Sequence, residues 1–387
     1  LNMDPVEVRL KNLIKENDRF ITGEPMISVG LSECLRQTAQ AIGWRAHEEQ
    51  APRTVRPCAR GKGVAVAIKS TSTPSTSAPS IRLNPDGSAI LLTSSAEIGQ
   101  GAHTSLAQIV GDVLGLPIER VSVTFPDTDV TPYDKSTSSS RTTFHMGRAA
   151  QIAAGQIRDQ LFQAGAKALE ARIEDLELRD LRVQVKGVPE KSLTFPQLFR
   201  AIFGDPSGSL FGNHTLRTEG GVNPKTGQGK GSSFWFYSAA GAEVEVDIET
   251  GKVRVLKVST AVDVGKGIHP KQCDLQNEGS ALAGLGSALF EEMRFDNGQP
   301  INATFLDYLL PSMQDHPGEF ESTLVETPHP DGPFGAKGMG EAALPPMAAA
   351  IGNAVANALN GVRVHDLPIK PDKIVSALHA EKKNALA

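Results

Sequence analysis

Between residues 240 and 258 the chain reads AGAEVEVDIETGKVRVLKV, and this stretch limits the fold more than any other. Apolar and polar residues alternate on both sides of a turn that contains Gly251. A period of two sends alternate side chains to opposite faces of a strand, so the stretch predicts a β-hairpin. Two later segments differ in kind: EGSALAGLGSALFEEM (278–293) and AALPPMAAAIGNAVANAL (342–359) read as helices rich in Ala and Gly. Helices with side chains that small must pack closely on their neighbours.

Upstream, Asp4-Pro5-Val6-Glu7 supplies an acidic cap, a first-turn proline and a glutamate three residues after the cap, which together start a helix. Val6, Leu10, Leu13 and Ile14 continue it as an apolar stripe. A second helix is expected from near Ser28 to Ile42, with Leu31, Leu35, Ala39 and Ile42 on one face. The basic APRTVRPCARGKG (51–63) marks a boundary, so residues 1–57 read as a helical connector and 58–387 as the main domain. GVAVAIK (63–69) and SAILLTSSA (88–96) read as strands on either side of the Ser/Thr/Pro stretch 70–80. Leu106, Ile109, Val110, Val113 and Leu114 give a helix that closes at Gly115. RVSVTF (120–125) reads as a strand and GRAAQIAAGQIRDQLFQAGAKAL (147–169) as a long helix. The polar stretch 214–232 reads as a mobile loop. Strands and helices mix without a regular repeat, which leaves α/β or α+β; the assignment is α+β, with two mixed α/β subdomains around 58–200 and 235–362.

Composition narrows the function classes. A net charge of −5 with scattered basic residues leaves no electrostatic footprint for nucleic acid. No apolar run reaches the roughly 18 residues that a membrane span needs. Cys34, Cys58 and Cys273 are far apart and form no CxxC pair, which argues against a disulfide scaffold or a cysteine-ligated metal. A cytoplasmic setting is expected from that cysteine usage.

Three constellations could carry chemistry. In EIGQGAHT (97–104), Gly99-Gln100-Gly101 joins a strand to a helix start, where exposed amides and the positive helix end suit an anion. A purely structural turn explains the same residues equally well. In DTDVTPYDKSTSSSRTTFHMG (127–147), hydroxyls, loop amides and Arg141 suit a phosphate, and a solvated Ser/Thr loop is the plainer reading. In FGAKGMGEAALPP (334–346), Glu341 follows three glycines just ahead of a helix. It reads as a helix-start acid, a ligand or a base.

Together and in this order, the three segments resemble the molybdenum-binding subunit of the xanthine dehydrogenase and aldehyde oxidoreductase family of molybdenum hydroxylases. GAKGMGE resembles that family's active-site loop, EIGQG its cofactor-binding loop, and TSSSRTT the loop under the molybdenum and the pterin. AVDVGKGIHP and NEGSALAGLG resemble two further family segments. The opening LNMDPVEVRLKNL resembles the middle of such a subunit, so the chain is expected to be a C-terminal half that follows a first molybdenum-binding domain. The resemblance implies the fold of the second molybdopterin-binding domain.

It also implies hydroxylation of an aromatic N-heterocycle or aldehyde, with water as oxygen source and Glu341 as the catalytic base. Burial in the glycine loop is expected to raise that base's pKa. The cofactor-binding residues implied are Gly99, Gln100, Gly101, Ser138, Ser139, Ser140, Arg141, Thr142, Lys337 and Gly338. The resemblance implies that the metal is held by a pterin dithiolene, with no protein ligand. Molybdopterin is the implied cofactor, with a cytosine dinucleotide extension as one form of it. A partner with the first half of the molybdenum site, a 2Fe-2S subunit and an FAD subunit are implied as well. A non-catalytic scaffold or a carbon monoxide dehydrogenase-type large subunit are the alternatives.

The chain also departs from the pattern. Ala283 stands where many relatives have a pterin-holding glutamine, His269 where asparagine is usual, and Ser139 where xanthine-oxidising relatives carry alanine. His269 is expected to be a satisfied histidine in a turn. Lys69 and Ser70 replace an aromatic clamp for purine, which would let Lys69 meet a substrate bearing a carboxylate rather than xanthine; a lysine that points to solvent from a strand end is the plainer reading.

Overall fold

Strands Trp235–Asp247 and Val253–Asp263 form the expected antiparallel hairpin, with Gly251 at φ 76° in its turn. The computed structural model describes residues 3–45 and 57–386, and for 382–386 the backbone only. The expected boundary at 51–63 lies partly outside the described residues. Contacts divide the chain into two units: Leu1–Lys69 with Trp235–Thr327 and Met339–Ala387, and Ser70–Phe234 with Pro328–Gly338.

In the first unit the hairpin forms the middle of a four-stranded sheet, between strand Cys58–Ser70 and strand Glu319–Val325. The last of these runs parallel to Val253–Asp263. Helix Leu31–Ala41 covers one face, where Cys34, Leu35, Ile42, Val64, Ala239 and Ala261 form a core. Helix Leu344–Ala358 covers the other face. The alternation of strand Cys58–Ser70 explains both contacts: Val64 points to the first helix, while Gly61 and Gly63 point to the second. A Cβ at Gly61 would lie 2.3 Å from Ala354 O and Ala358 N, and one at Gly63 2.3 Å from Ala350 O and Ala354 N. Strand backbone therefore rests on helix backbone, with Ala350, Ala354 and Ala358 at helical spacing beneath two glycines.

This packing has a direction. Gly61 meets the later helical residues and Gly63 the earlier ones, so strand and helix run antiparallel. From Gly63 to Lys69 the strand advances about 20 Å at its usual rise. That carries its end towards the start of helix Leu344–Ala358, just after Glu341. The small-residue helices Pro270–Leu289 and Leu344–Ala358 also pack closely, since a Cβ at Gly284 would lie 2.6 Å from Met347 Cβ. Helix Pro5–Asn12 is capped by Asp4, whose carboxylate accepts from the amides of Val6 and Glu7. Residues 3–45 belong to this unit.

The second unit is built on helix Thr142–Leu169. Its Met146, Ala150, Ala153, Ile157 and Leu161 pack with Leu106, Val110 and Leu114 of helix Ala102–Leu114 and with Ile81, Leu83 and Leu91 of a four-stranded sheet. That sheet runs in the order Val121–Val123, Ala89–Leu92, Ser80–Leu83, Leu210–Asn213. Gly115 ends helix Ala102–Leu114 in the left-handed region, as its sequence predicts. A second sheet, Leu176–Arg179, Arg182–Val185 and Val188–Thr194, packs its Leu176 and Val183 into the same core.

Three expectations need correction. The stretch 214–232 is not an unpaired loop: Leu216–Thr218 pairs with Ser75–Ser77, and Gly221–Val222 pairs with Gly229–Lys230. Polar residues satisfied by ladder bonds carry no apolar alternation, so the sequence pattern does not show them. For the same reason the Ser/Thr/Pro stretch 70–80 holds strand Ser75–Ser77 and the start of Ser80–Leu83. The long helix starts at Thr142 rather than 147, because Ser139 and Ser140 adopt φ values of 54° and 49° and turn the chain straight into it.

Candidate functional site

Glu341 lies in a turn closed by the Ala342 amide on Met339 O, just ahead of helix Leu344–Ala358. That helix has no side-chain cap, so Glu341 is not a helix-start residue in the capping sense. Its carboxylate instead accepts a bond from Lys69 Nζ, 2.8 Å from Oε2. The Lys69 ammonium also lies 5.4 Å from the ring centroid of the buried Phe236, within cation–π range. The side chain of Glu341 is 63% exposed, against 30% for Lys69. The glycine loop does not bury the carboxylate as expected; it presents it. A pair this exposed contributes only ~0–1 kcal/mol to stability. Lys69 was expected to meet a substrate carboxylate, and here it holds the protein's own. Ser70, the other expected substrate residue, is exposed.

The glycines of this loop do separate jobs. Gly335 takes φ 93°, which a side chain disfavours. Gly338 is buried against the Ser140 carbonyl, which a Cβ would approach to 1.6 Å. Gly338 and the Ser138–Ser140 turn are therefore packed together, and Lys337 beside them is buried.

The Gly99-Gln100-Gly101 turn differs from its expected role. Its amides do face an anion, but that anion is Glu97. The Glu97 carboxylate accepts from the amides of Gly99 and Gly101 through Oε1 and from that of His103 through Oε2. Burial pushes the Glu97 carboxyl up, and the amides of His103, Gly101 and Gly99 outweigh it, so the group sits below its usual range. Gln100 closes the same turn, donating to Ala96 O and accepting from the Ile98 amide. The turn is an internally satisfied anion nest.

Arg141 also departs from expectation. It is fully buried and spends every donor on the protein: Nε on Ser75 Oγ, Nη1 on Asp134 and Ser136 O, and Nη2 on Thr76 O and Ser77 Oγ. Asp134, equally buried, also accepts from the hydroxyls of Ser77 and Ser95. A guanidinium has five donors, so none is left for a phosphate. Arg141 shapes the loop that precedes helix Thr142–Leu169 and does not reach out of it. Nearby, His145 is pushed down to about 4 by burial and by the Arg141 charge, so it is neutral at physiological pH.

The start of this helix is where backbone donors are left over. It is 28 residues long and has no side-chain cap at Arg141. Among the described residues no hydrogen bond reaches the amides of Thr142 or Thr143. Ser138 is exposed beside them, with its hydroxyl on Ser136 Oγ. Such an end suits an anionic group. Of the departures, His269 caps helix Pro270–Leu289 by accepting from the Gln272 amide, and Ala283 is exposed on that helix.

Glu97, Asp134 and Phe236 were missed by sequence reasoning. Glu97 and Asp134 stand inside segments singled out for chemistry, and a carboxylate next to a helix start or an arginine is the available signal. Nothing in the sequence marks Phe236.

The family of molybdopterin cofactor-binding domains matches residues 35–317. The chain belongs to this family. It is 31% identical to the xanthine dehydrogenase molybdenum-binding subunit of Escherichia coli O157:H7, over 98% of this chain and 50% of that protein. The nicotine 6-hydroxylase large subunit of Paenarthrobacter nicotinovorans is 29% identical over 97% of this chain and 48% of its own length. Among solved structures, quinoline 2-oxidoreductase from Pseudomonas putida 86 aligns with a TM-score of 0.83 and 27% identity, over 97% of this chain and 49% of that one. The fold is that of a molybdenum hydroxylase large subunit, and the chain spans about half the length of the relatives it matches.

The residues fit the family's cofactor in part. Among the described residues no three His, Cys, Asp or Glu side chains are placed to hold a metal. The unbonded amides of Thr142 and Thr143, of which Thr142 is buried, are the part of the loop that suits an anion. Arg141 does not fit as a direct ligand.

Proposed function

We propose that this chain supplies the catalytic base of a molybdenum hydroxylase, which oxidises a C–H bond of an aromatic N-heterocycle or an aldehyde with water as oxygen source. The carrying observation is Glu341: a carboxylate presented at the end of a packed glycine loop, excluded from capping and held by one cation. Relatives named for xanthine, nicotine and quinoline support the heterocycle.

In this reading Ser138–Ser140, Thr142, Lys337 and Gly338 would hold the pterin cofactor, whose bound metal would supply the two-electron redox chemistry, while Gly99–Gly101, closed on Glu97, act only by their backbone shape. Arg141 acts indirectly, by fixing the backbone of the Ser138–Ser140 turn. A cytosine dinucleotide extension would place its pyrophosphate at the start of helix Thr142–Leu169. Glu341 takes the proton of the attacking hydroxyl group. Electrons leave through 2Fe-2S and FAD partner subunits, and a further chain or domain completes the molybdenum site. Three cysteines far apart in sequence, with no CxxC pair, support a reducing, cytoplasmic setting.

Glu341→Gln tests the base. It keeps the shape of the side chain and removes its proton acceptor. In the assembled enzyme, offered xanthine, nicotinate and benzaldehyde, turnover should fall roughly 10²–10⁴-fold at unchanged molybdenum content. Near-normal turnover by the glutamine variant at full metal loading would exclude Glu341 as the base.

A further inference from the structure

We infer that Lys69 is the positioning residue for Glu341, fixing one carboxylate oxygen so that the other is the proton acceptor. The inference rests on the proposed role of Glu341. Among the described residues the only hydrogen bond to this carboxylate is the one from Lys69 Nζ to Oε2, and Oε1 receives none. A carboxylate with one oxygen tied has a defined direction, whereas one 63% exposed and untied would sample its rotamers.

Lys69 is itself held. Its ammonium rests over the Phe236 ring at 5.4 Å, and Phe236 is a buried residue of the adjacent strand. The chain of contacts is therefore Phe236, Lys69, Glu341: a rigid ring, a cation seated on it, and a carboxylate aimed by the cation. The strand that carries Lys69 is in turn fixed by Gly61 and Gly63 on helix Leu344–Ala358, the helix that follows Glu341. Both ends of the pair thus belong to one packed strand–helix element.

This places Lys69 behind the base and assigns it no substrate contact. The two roles differ in kinetics. A positioning residue acts on the chemical step, so its loss lowers kcat; a hook for a substrate carboxylate acts on binding, so its loss raises KM.

The test has two arms. On the chain itself, acetic anhydride labelling read by peptide mass spectrometry measures the reactivity of Lys69. Glu341→Gln should raise it about twofold or more, because the carboxylate occupies the nitrogen and its loss frees the amine for acylation. Unchanged reactivity would mean that the pair does not form and would overturn the inference. In the assembled enzyme, with xanthine, nicotinate and benzaldehyde as probes, Lys69→Met should lower kcat roughly 10²-fold with KM nearly constant, the cost of a misplaced catalytic group. Lys69→Arg should recover most of that loss. A Lys69→Met enzyme with normal kcat and a raised KM for nicotinate alone would make Lys69 a substrate hook and overturn the assignment. Glu341→Gln in the same series separates the failures: if it keeps turnover, the base assignment falls; if it is inactive while Lys69→Met is normal, only the positioning role falls. A wild-type enzyme that turns over none of the probes counts against both.

Discussion

Two ion pairs in this protein share a chemistry and differ in everything else. Arg141 and Asp134 meet at 2.6 Å with both side chains fully buried, and every donor of the guanidinium is used. Lys69 and Glu341 meet at 2.8 Å, the lysine half-buried and the glutamate exposed, through a single bond. The buried pair is surrounded by hydroxyls and carbonyls that replace water, so it can neither move nor bind anything else. The exposed pair holds one group in place and leaves the rest of it available. Surroundings, more than residue type, separate a strut from an accessible group: arginine in a Ser/Thr loop reads as a phosphate ligand, and the fold uses it as a strut.

Substitutions can break this contrast. Arg141→Met leaves Asp134 buried without its cation, and a broken buried pair costs about 3–5 kcal/mol. Chemical denaturation should show that loss, with Glu341→Gln within about 1 kcal/mol of wild type. If Arg141→Met folds with unchanged stability, the pair is not a strut and the contrast collapses.

Gly63→Ala sharpens the other side. Its new Cβ meets helix backbone at 2.3 Å, so strand and helix must separate. A stability loss of about 1–3 kcal/mol is expected. Slower turnover should accompany it, since the same packing sets Lys69 beside Glu341. Wild-type stability would show that the close approach is not a constraint.

The smallest effect concerns Glu97, a third carboxylate and one that pairs with amides instead of a cation. Its folded-state pKa is lowered, so its stabilisation is complete above the unfolded value of about 4.3 and is lost as pH falls through the lower folded-state value. Glu97→Gln should cost about 1 kcal/mol near neutral pH, discounted for its partial exposure, and progressively less in acid. Equal deficits at pH 7 and pH 3 would mean that the amides do not recognise its charge.

Much of the framework was legible. Alternation around Gly251 gave the hairpin, Asp4 and Gly115 marked helix ends, and the apolar spacing of 106–114 gave a helix. Other local signals were present and unused: Thr194 and Gln197 form a capping box at the start of helix Phe195–Phe203, which no expectation covered. The polar strands 75–77 and 216–218 had no signal, because their register comes from each other.

The site divides along the same line. Sequence by itself determined that a glutamate ends a glycine loop ahead of a helix, and that serines and an arginine crowd the start of another. These are local arrangements, set by neighbours along the chain. Only the tertiary structure decided that Arg141 is buried on Asp134, that Glu97 fills the glycine turn, and that Lys69 reaches Glu341 across 272 residues of sequence. A charged side chain has no periodicity to announce its partner. The partner is chosen by which backbones pack, here two glycines of a strand lying on three alanines of a helix.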